Sequence, residues 1–411
     1  MSKFAYAFVL LFLYRYPRFV VNTITSWYFR RFRAVPLPGK PTVVRDDVTV
    51  IIPTICGKDT RCLEHTLRSC LGNQPKEIII VTIDSVREII SKFAESIDPS
   101  IKVMSVPIRG KRIQVAHALY GVKTSITILA DDDVIWPSGF LPHILAPLES
   151  WKVGAVGTLQ QIRRDESLGT LGKIWEYLGA CYIEHRNFEI TATSNIDGGM
   201  SCLSGRTAAF RTEILQDPKF ISGYLNEKWA GNTLNADDDN FVSRWLVSHQ
   251  WAIVVQASQE AVVETTLETS SDFLSQCLRW SRSNWRSNYT STICERHVWK
   301  QQPWSTYALH LSTPTCSLVT DPLLVYLLVR ATASLDNHTR LLCMYALAAW
   351  MLTAKFTKLI PHYHRCPGDI CYFPVTLIFG YLHGLIKYYA LFTLHSTSWG
   401  NRGAEDAPIT Q

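Results

Sequence analysis

The stretch "SITILADDDVIWP", residues 125–137, decides how this chain is to be read. It begins as an unbroken apolar run of strand length and stops on three adjacent carboxylates. Apolar runs that do not alternate belong to strands buried on both faces, as in a parallel sheet covered by helices. Three similar runs precede it, "VTVIIPT" at 48–54, "EIIIVTID" at 77–84 and "IKVMSVP" at 101–107, with helix-length segments between them. Together they predict an α/β half-domain of nucleotide-binding type over about 47–160, with ligands at the carboxyl ends of the strands. The Asp triplet lies at such an end. On an extended backbone Asp131 and Asp133 share one side while Asp132 points away. Two hard oxygen ligands at this spacing suit Mg2+ or Mn2+ held together with a substrate diphosphate. An Asp-rich turn capping a helix from Ser138 is the plainer alternative.

The spelling recurs at 236–240, "ADDDN", where it opens a predicted helix whose dipole favours acidic residues. Elsewhere, "RGKRIQ" at 109–114 puts Lys111 and Arg112 at a helix start, a place where backbone N–H groups and cations converge on anions; a solvated basic face is the alternative. Pro53 and Thr54 end the first strand, where contacts to a nucleotide base are expected. Asp84 ends the second as a base or ribose acceptor, with Thr82 as the alternative. In "QCLRWSRSNWR", 276–286, Gln276, Arg279 and Trp280 lie one turn apart on a helix predicted to be capped by Ser271. Membrane-interface anchoring by Arg282, Trp285 and Arg286 is the second use for that helix.

The chain has 411 residues, and 47% hydrophobic against 18% charged is apolar enough to place part of it in lipid. A net charge of +6 is too mild for a nucleic-acid partner and suits anionic headgroups or an anionic small substrate. The eleven cysteines show no CxxC pair or dense spacing, which predicts reduced thiols and no zinc site. "FAYAFVLLFLY" at 4–14 is about half the length a spanning helix requires. With the aromatic and basic segment behind it, it reads as an N-terminal interfacial or membrane-entry segment over 1–40, or as a surface amphipathic helix. Residues 305–329 and 341–360 are expected to form a transmembrane hairpin, with a buried core pair as the alternative. Residues 371–395, interrupted by Pro374, Gly380, His383, Gly384 and Lys387, are expected to be interfacial or re-entrant.

The order "VTVIIPT", "GKRIQ", "DDDVIWP", "SCLSGRTAAFR", "ADDDNFVSRWL", "QCLRWSRSNWR", "SWGNR" resembles the processive family 2 glycosyltransferases, in particular hyaluronan synthases and the type 2 glycosyltransferases, or polysaccharide synthases, of filamentous fungi. The resemblance covers about 45–402. It implies a cytosolic GT-A fold over 45–270, an interfacial QxxRW helix over 271–300, a transmembrane region over 305–395 and a gating tail over 396–411, in a multi-pass protein of the cell membrane. It implies a UDP-sugar donor, Mg2+ or Mn2+, membrane lipid around the protein, and a growing polysaccharide that serves hyphal growth and surface properties. Addition of one sugar to a lipid and an inactive membrane scaffold are the rival functions.

Carried over residue by residue, the resemblance makes Asp131 and Asp133 the DxD metal motif and sets Lys111 and Arg112 by the diphosphate. Asp238 becomes the general base and Asp237 its acidic forerunner. Cys202, Ser204 and Gly205 fall by the acceptor sugar, although a core strand explains "SCLSGRTAAFR" equally well. Gln276, Arg279 and Trp280 serve the acceptor and the diphosphate. Trp399 and Arg402 match a gating motif whose Thr is here Asn401. Asn337, in "NHT", is expected on the outer side as a glycosylation site. A single carboxylate base implies one in-line displacement and therefore inversion at the anomeric carbon.

Overall fold

The computed structural model describes residues 2–32, 34–56 and 60–397. Seven strands form the central sheet: β1 (Val48–Pro53), β2 (Glu77–Ile83), β3 (Lys102–Val106), β4 (Ile126–Ala130), β5 (Val153–Thr158), β6 (Thr207–Arg211) and β7 (Ala252–Gln256). Their order is β7-β5-β6-β4-β1-β2-β3. All run parallel except β6, which is antiparallel to both β4 and β5. The first four are the apolar runs read from the sequence, and "RTAAFR" is indeed a core strand.

Residue parity shows why those runs do not alternate. Val48, Val50, Ile52, Ile78, Ile80, Ile126 and Ile128 pack on one face against Leu63, Leu67 and Ile90 of the helices Arg61–Gly72 and Arg87–Ile97. Ile51, Ile79, Val81 and Leu129 pack on the other against Val115, Leu119, Tyr224 and Leu246. Both parities are buried, so both must be apolar, and each such side chain contributes about 1.5–3 kcal/mol. A small second sheet, Val134–Ile135, Val263–Thr265 and Gln160–Ile162, starts directly after Asp133. The first Asp triplet is therefore the turn between two sheets.

The helices that frame the site are α1 (Lys3–Arg15), α2 (Pro17–Phe32), α3 (Lys111–Leu119), α4 (Thr170–Ile196), α5 (Asp238–Ser248), α6 (Asp272–Tyr289), α7 (Ser317–Ala331), α8 (Asn337–Thr357) and α9 (Phe373–Phe392). Four expectations need correction. The sequence shows a less regular pattern from about 160 to 270, yet that stretch contains α4, a helix of 27 residues. Its buried face carries Glu176, Glu184, Asn187 and Thr191 beside Tyr177 and Leu178, which hides the apolar period.

At the N-terminus, α1 and α2 abut at Tyr16, so Lys3–Tyr28 is a 26-residue stretch long and apolar enough to cross a membrane, where half that length was expected. Near the C-terminus, Pro367–Phe392 is the second such stretch. Pro374 sits in the first turn of α9, where its missing N–H costs nothing, so it does not break the helix. The expected spanning hairpin gives way to a short α7 of 15 residues containing Pro322, followed by α8. Asn337 is exposed and begins α8, whose first turn is capped by Asp336. Ser271 is the N-cap residue of α6 as expected, while the hydroxyl that accepts the Asp272 N–H, at 3.1 Å, is that of Ser270. All eleven cysteines are free.

Candidate active site

The two Asp triplets meet at one ammonium. Gly110 starts α3 without a side-chain cap, and the helix buries Lys111, 6% exposed, so that its Nζ lies 2.6 Å from Asp131 Oδ1 and 3.3 Å from Asp238 Oδ2. Burial alone would drive that proton off. Asp131, Asp238 and Asp239 more than compensate, and they hold the Lys111 ammonium well above its usual range. Gly205 makes room for it: a Cβ there would come within 2.8 Å of Lys111 Nζ. The residues singled out in "SCLSG" thus include one required by close approach rather than by chemistry of its own.

The second triplet is three different environments. Asp237 caps α5 in the left-handed region, φ 63°, a conformation uncommon for a residue with a side chain. Its carboxylate is gripped by Arg286 of α6, Nε to Oδ2 at 2.7 Å and Nη2 to Oδ1 at 3.0 Å. Burial raises Asp238, but the cations Lys111 and Arg112 outweigh it and hold the carboxyl below its ordinary range. Asp239 goes the opposite way, raised by burial and then by the neighbouring Asp238 charge, while the Cys202 thiol donates to Leu203 O at 3.5 Å. Of these two, Asp238 is the one whose ionised form the surroundings favour.

Arg112 is placed elsewhere than the sequence suggests. Its guanidinium donates to Tyr224 O at 2.7 Å, Ala236 O at 2.8 Å and Glu227 Oε2 at 2.6 Å, and it is buried. It ties α3 to the loop that presents Asp237 and Asp238 and so positions those residues, with Nη1 and Nη2 bonded to protein acceptors and Nε buried without a partner among the described residues. Asp132, expected to point away, accepts the Thr54 hydroxyl at 2.6 Å and joins the ends of β4 and β1. Gln114 Nε2 donates to Thr54 O and Val81 O, which fixes the β1–β2 mouth beside Pro53. Beyond it, Asp84 is exposed at the end of β2, while Thr82 is buried in the sheet with its hydroxyl unpartnered.

The helix α6 brings Gln276, Arg279 and Trp280 to the same side. Among the described residues Gln276 Oε1 and Arg279 Nε are buried without a hydrogen-bond partner, the condition of polar groups arranged for a ligand. Arg279 lies within electrostatic reach of Asp131, Asp238 and Asp239. Trp280 stacks on Tyr182 of α4 with ring centres 4.9 Å apart, and the Arg206 guanidinium lies 5.4 Å from its ring centre. Arg282, Trp285 and Arg286, read as interface anchors, turn inward instead. Trp285 Nε1 donates to Lys387 O at 2.8 Å, Arg282 reaches Thr393 and Ser396, and Arg286 is 2% exposed. Besides Asp237, Arg286 donates to Leu394 O at 3.2 Å and Ser396 O at 3.0 Å, so one guanidinium joins the base loop, α6 and the start of the tail.

A model described as "Glycosyltransferase like family 2" matches residues 45–283. The chain belongs to glycosyltransferase family 2. A type 2 glycosyltransferase of Gibberella zeae is 49% identical over 405 residues, 98% of this chain and 76% of that protein. Human hyaluronan synthase 2 is a distant relative, 24% identical over 178 residues, 42% of this chain and 30% of that one. Among solved structures, a mannosyltransferase from Pyrobaculum calidifontis, in complex with GDP-Man and Mn2+, superposes with a TM-score of 0.53 at 16% identity, covering 90% of this chain and 97% of that one. That likeness establishes the shared α/β fold, of GT-A type.

Within this family 2 enzyme the candidate residues therefore fall into two groups. Lys111, Asp131, Asp238, Gly205, Cys202 and Arg279 converge on one cluster, whereas Arg112 and Asp237 hold it from behind. Ser204, 8% exposed, lies in the adjoining turn, where its hydroxyl accepts the Arg206 N–H at 3.4 Å. Trp399 and Arg402 lie outside the described residues. The sequence reading missed Arg286, Tyr182 and Arg186, whose guanidinium donates to Cys202 O at 3.1 Å. A buried Arg in an amphipathic pattern was the one available signal for Arg286. The residues of α4 had none, because the helix itself was not recognised.

Proposed function

We propose that this is a metal-dependent, inverting glycosyltransferase that takes a UDP-sugar and extends a polysaccharide at the membrane, with its catalytic domain on the cytosolic side. By the resemblance to the polysaccharide synthases of filamentous fungi, the product would be an extracellular or outer cell-wall polymer serving hyphal growth. The observation that carries the reading is the Lys111 bridge. It brings the strand-end carboxylate Asp131 and the helix-start carboxylate Asp238 within reach of one cation, so donor diphosphate and acceptor hydroxyl can be held side by side. Asp238, ionised and buried, takes the hydroxyl proton, a contribution of about 10² to 10⁴ in rate. Gln276 and Arg279 supply polar contacts, and Trp280 an aromatic face, to acceptor or diphosphate.

Asp131 and Asp133 would hold the metal. They are half-buried oxygen donors at the end of β4, a set that fits Mg2+ or Mn2+ better than a thiophilic ion. When bound, such an ion stabilises charge on the departing diphosphate. The Mn2+ and GDP-Man bound by the mannosyltransferase of the same fold support divalent metal and nucleotide-sugar use.

A second reading, transfer of one sugar to a lipid, is favoured by one observation: neither helix of the expected hairpin at 305–360 is among the described stretches both long and apolar enough to cross a membrane. Product sizing after incubation with a panel of UDP-sugars separates the two. A ladder of increasing length supports polymerisation, a single-sugar lipid supports the second reading, and no sugar-dependent UDP release with any donor sinks both in favour of a scaffold.

A further inference from the structure

The segment that joins α8 to α9 gathers three side chains of the kinds that ligate metals. It consists of a short helix, Ile360–Arg365, and a 3₁₀ turn, Pro367–Tyr372. Two backbone bonds fix its course: the Cys366 N–H donates to His362 O at 2.8 Å, and the Asp369 N–H to Cys366 O at 3.1 Å. The side chains of His362, Cys366 and Asp369 converge. His362 Nε2 lies 2.8 Å from Asp369 Oδ2, and the three donor atoms, Cys366 Sγ included, all lie within 4.8 Å of one another. Ligands of one tetrahedral ion stand about 3.3–3.6 Å apart, so small side-chain rotations close this set around an ion. His362 and Asp369 are buried, while Cys366 is half-buried and in no disulfide.

The surroundings supply what such ligands need. The second oxygen of Asp369 accepts from Arg164 Nη2 at 3.0 Å, which orients the carboxylate, and the His362 ring packs beside Tyr177 with ring centres 5.7 Å apart. Arg164 Nε also faces Glu176 Oε2 at 3.2 Å, so two buried carboxylates share one guanidinium. One negative charge is left over, and ionising the Cys366 thiol makes it two. A dication balances them, whereas without one the buried charge is stranded. A thiolate, an imidazole and a carboxylate together select Zn2+ over the harder Mg2+ or Mn2+ that Asp131 and Asp133 fit. The sequence expectation of no zinc site looked for paired cysteines. A single cysteine joined by an imidazole and a carboxylate escapes that signal.

We propose that His362, Cys366 and Asp369 bind one Zn2+ ion, with water at the fourth position, and that the ion fastens the start of the apolar stretch Pro367–Phe392 to the catalytic domain through Arg164. Arg164 directly follows a residue of the second sheet's border, since the Arg163 N–H donates to Thr265 O at 2.9 Å. Binding releases the Cys366 thiol proton to solvent and engages a lone pair of His362 Nε2. None of the three ligands belongs to the catalytic cluster, so the site does not rest on the glycosyltransferase reading.

The full chain in detergent, produced without a polyhistidine tag and stripped with a chelator, is titrated with Co2+ and then Zn2+. One equivalent of Co2+ should give the intense visible bands of a tetrahedral site together with a thiolate charge-transfer band, and Zn2+ should displace it. Cys366→Ser should abolish the thiolate band and weaken Zn2+ binding at least tenfold; Arg164→Gln, which keeps all three ligands, should weaken it about tenfold. The double variant Asp131→Asn with Asp133→Asn should change neither reading, which separates this site from the candidate catalytic metal. Zn2+ should raise the melting temperature of the unaltered chain and not that of Cys366→Ser. Absence of a thiolate band in the unaltered chain overturns the proposal, whatever the variants do to folding, and makes the cluster a buried ion pair only. So does a band that survives Cys366→Ser, which marks another cysteine. So does Zn2+ binding that is lost with Asp131 and Asp133 and kept without Cys366, which marks an adventitious ion only.

Discussion

Removing Arg286 tests whether the base loop is held as described. Arg286 and Asp237 have side chains 3% and 2% exposed and share a bidentate pair, and the same guanidinium holds Leu394 O and Ser396 O. Arg286→Ala leaves the Asp237 carboxylate buried and unpaired, a loss of about 3–5 kcal/mol. At about 2–4 °C per kcal/mol, the figure for a domain of 150–250 residues, the melting temperature should fall by roughly 10 °C. The double variant Arg286→Ala with Asp237→Ala should recover part of that loss, because no charge is then stranded. It also relieves nothing of the left-handed φ at 237, so recovery should be incomplete. Arg286→Lys should fall between, since an ammonium cannot reproduce the fork and both carbonyl bonds. Thermal unfolding of the detergent-solubilised chain measures all three variants against the unaltered protein. If the double variant is no more stable than Arg286→Ala, the stranded-charge reasoning is refuted.

Two further outcomes follow from the cluster. Gly205→Ala places a methyl 2.8 Å from Lys111 Nζ and must displace the bridging ammonium; turnover should drop at least tenfold while far-ultraviolet circular dichroism stays unchanged, and wild-type turnover would show that the bridge is dispensable. Asp239→Asn should be stabilising at neutral pH. A carboxyl raised in the folded state stabilises only while protonated, and that contribution is lost as pH rises through its folded value. The gain in melting temperature of the Asn variant should therefore be present at pH 7 and vanish as the pH is lowered below the ordinary carboxylate range; a gain independent of pH would contradict the assignment.

Much of the catalytic half was legible because its signals are local. An apolar run ending in carboxylates places Asp131 at a strand end whatever the rest of the chain does, and an acidic cluster before an amphipathic pattern places Asp238 in a first helical turn. What escaped is what depends on partners distant in sequence. Arg112 reads as a phosphate cation until Tyr224, Glu227 and Ala236 are seen to occupy its donors. Arg286 reads as a membrane anchor until Asp237 and the tail carbonyls are seen around it. The helix α4 escaped because its buried face carries Glu176 and Glu184, paired with Arg164 and Arg365, and Asn187, bonded to Gln160, and so lacks the apolar stripe by which helices are recognised. The C-terminal helix was misread for the same cause: Gly380, His383, Gly384 and Lys387 looked like interruptions, yet Gly384 packs against Leu318 of α7 and His383 against Tyr182.

The central claim is that Asp238 removes the acceptor proton while Lys111 and Asp131 serve the donor side. Transfer from a radiolabelled UDP-sugar, measured for the unaltered chain and for Asp238→Asn together with UDP affinity, tests it most directly. Turnover should fall by about 10² to 10⁴ with UDP affinity preserved, because the base acts on the acceptor alone. Turnover within a few fold of the unaltered chain would contradict the claim.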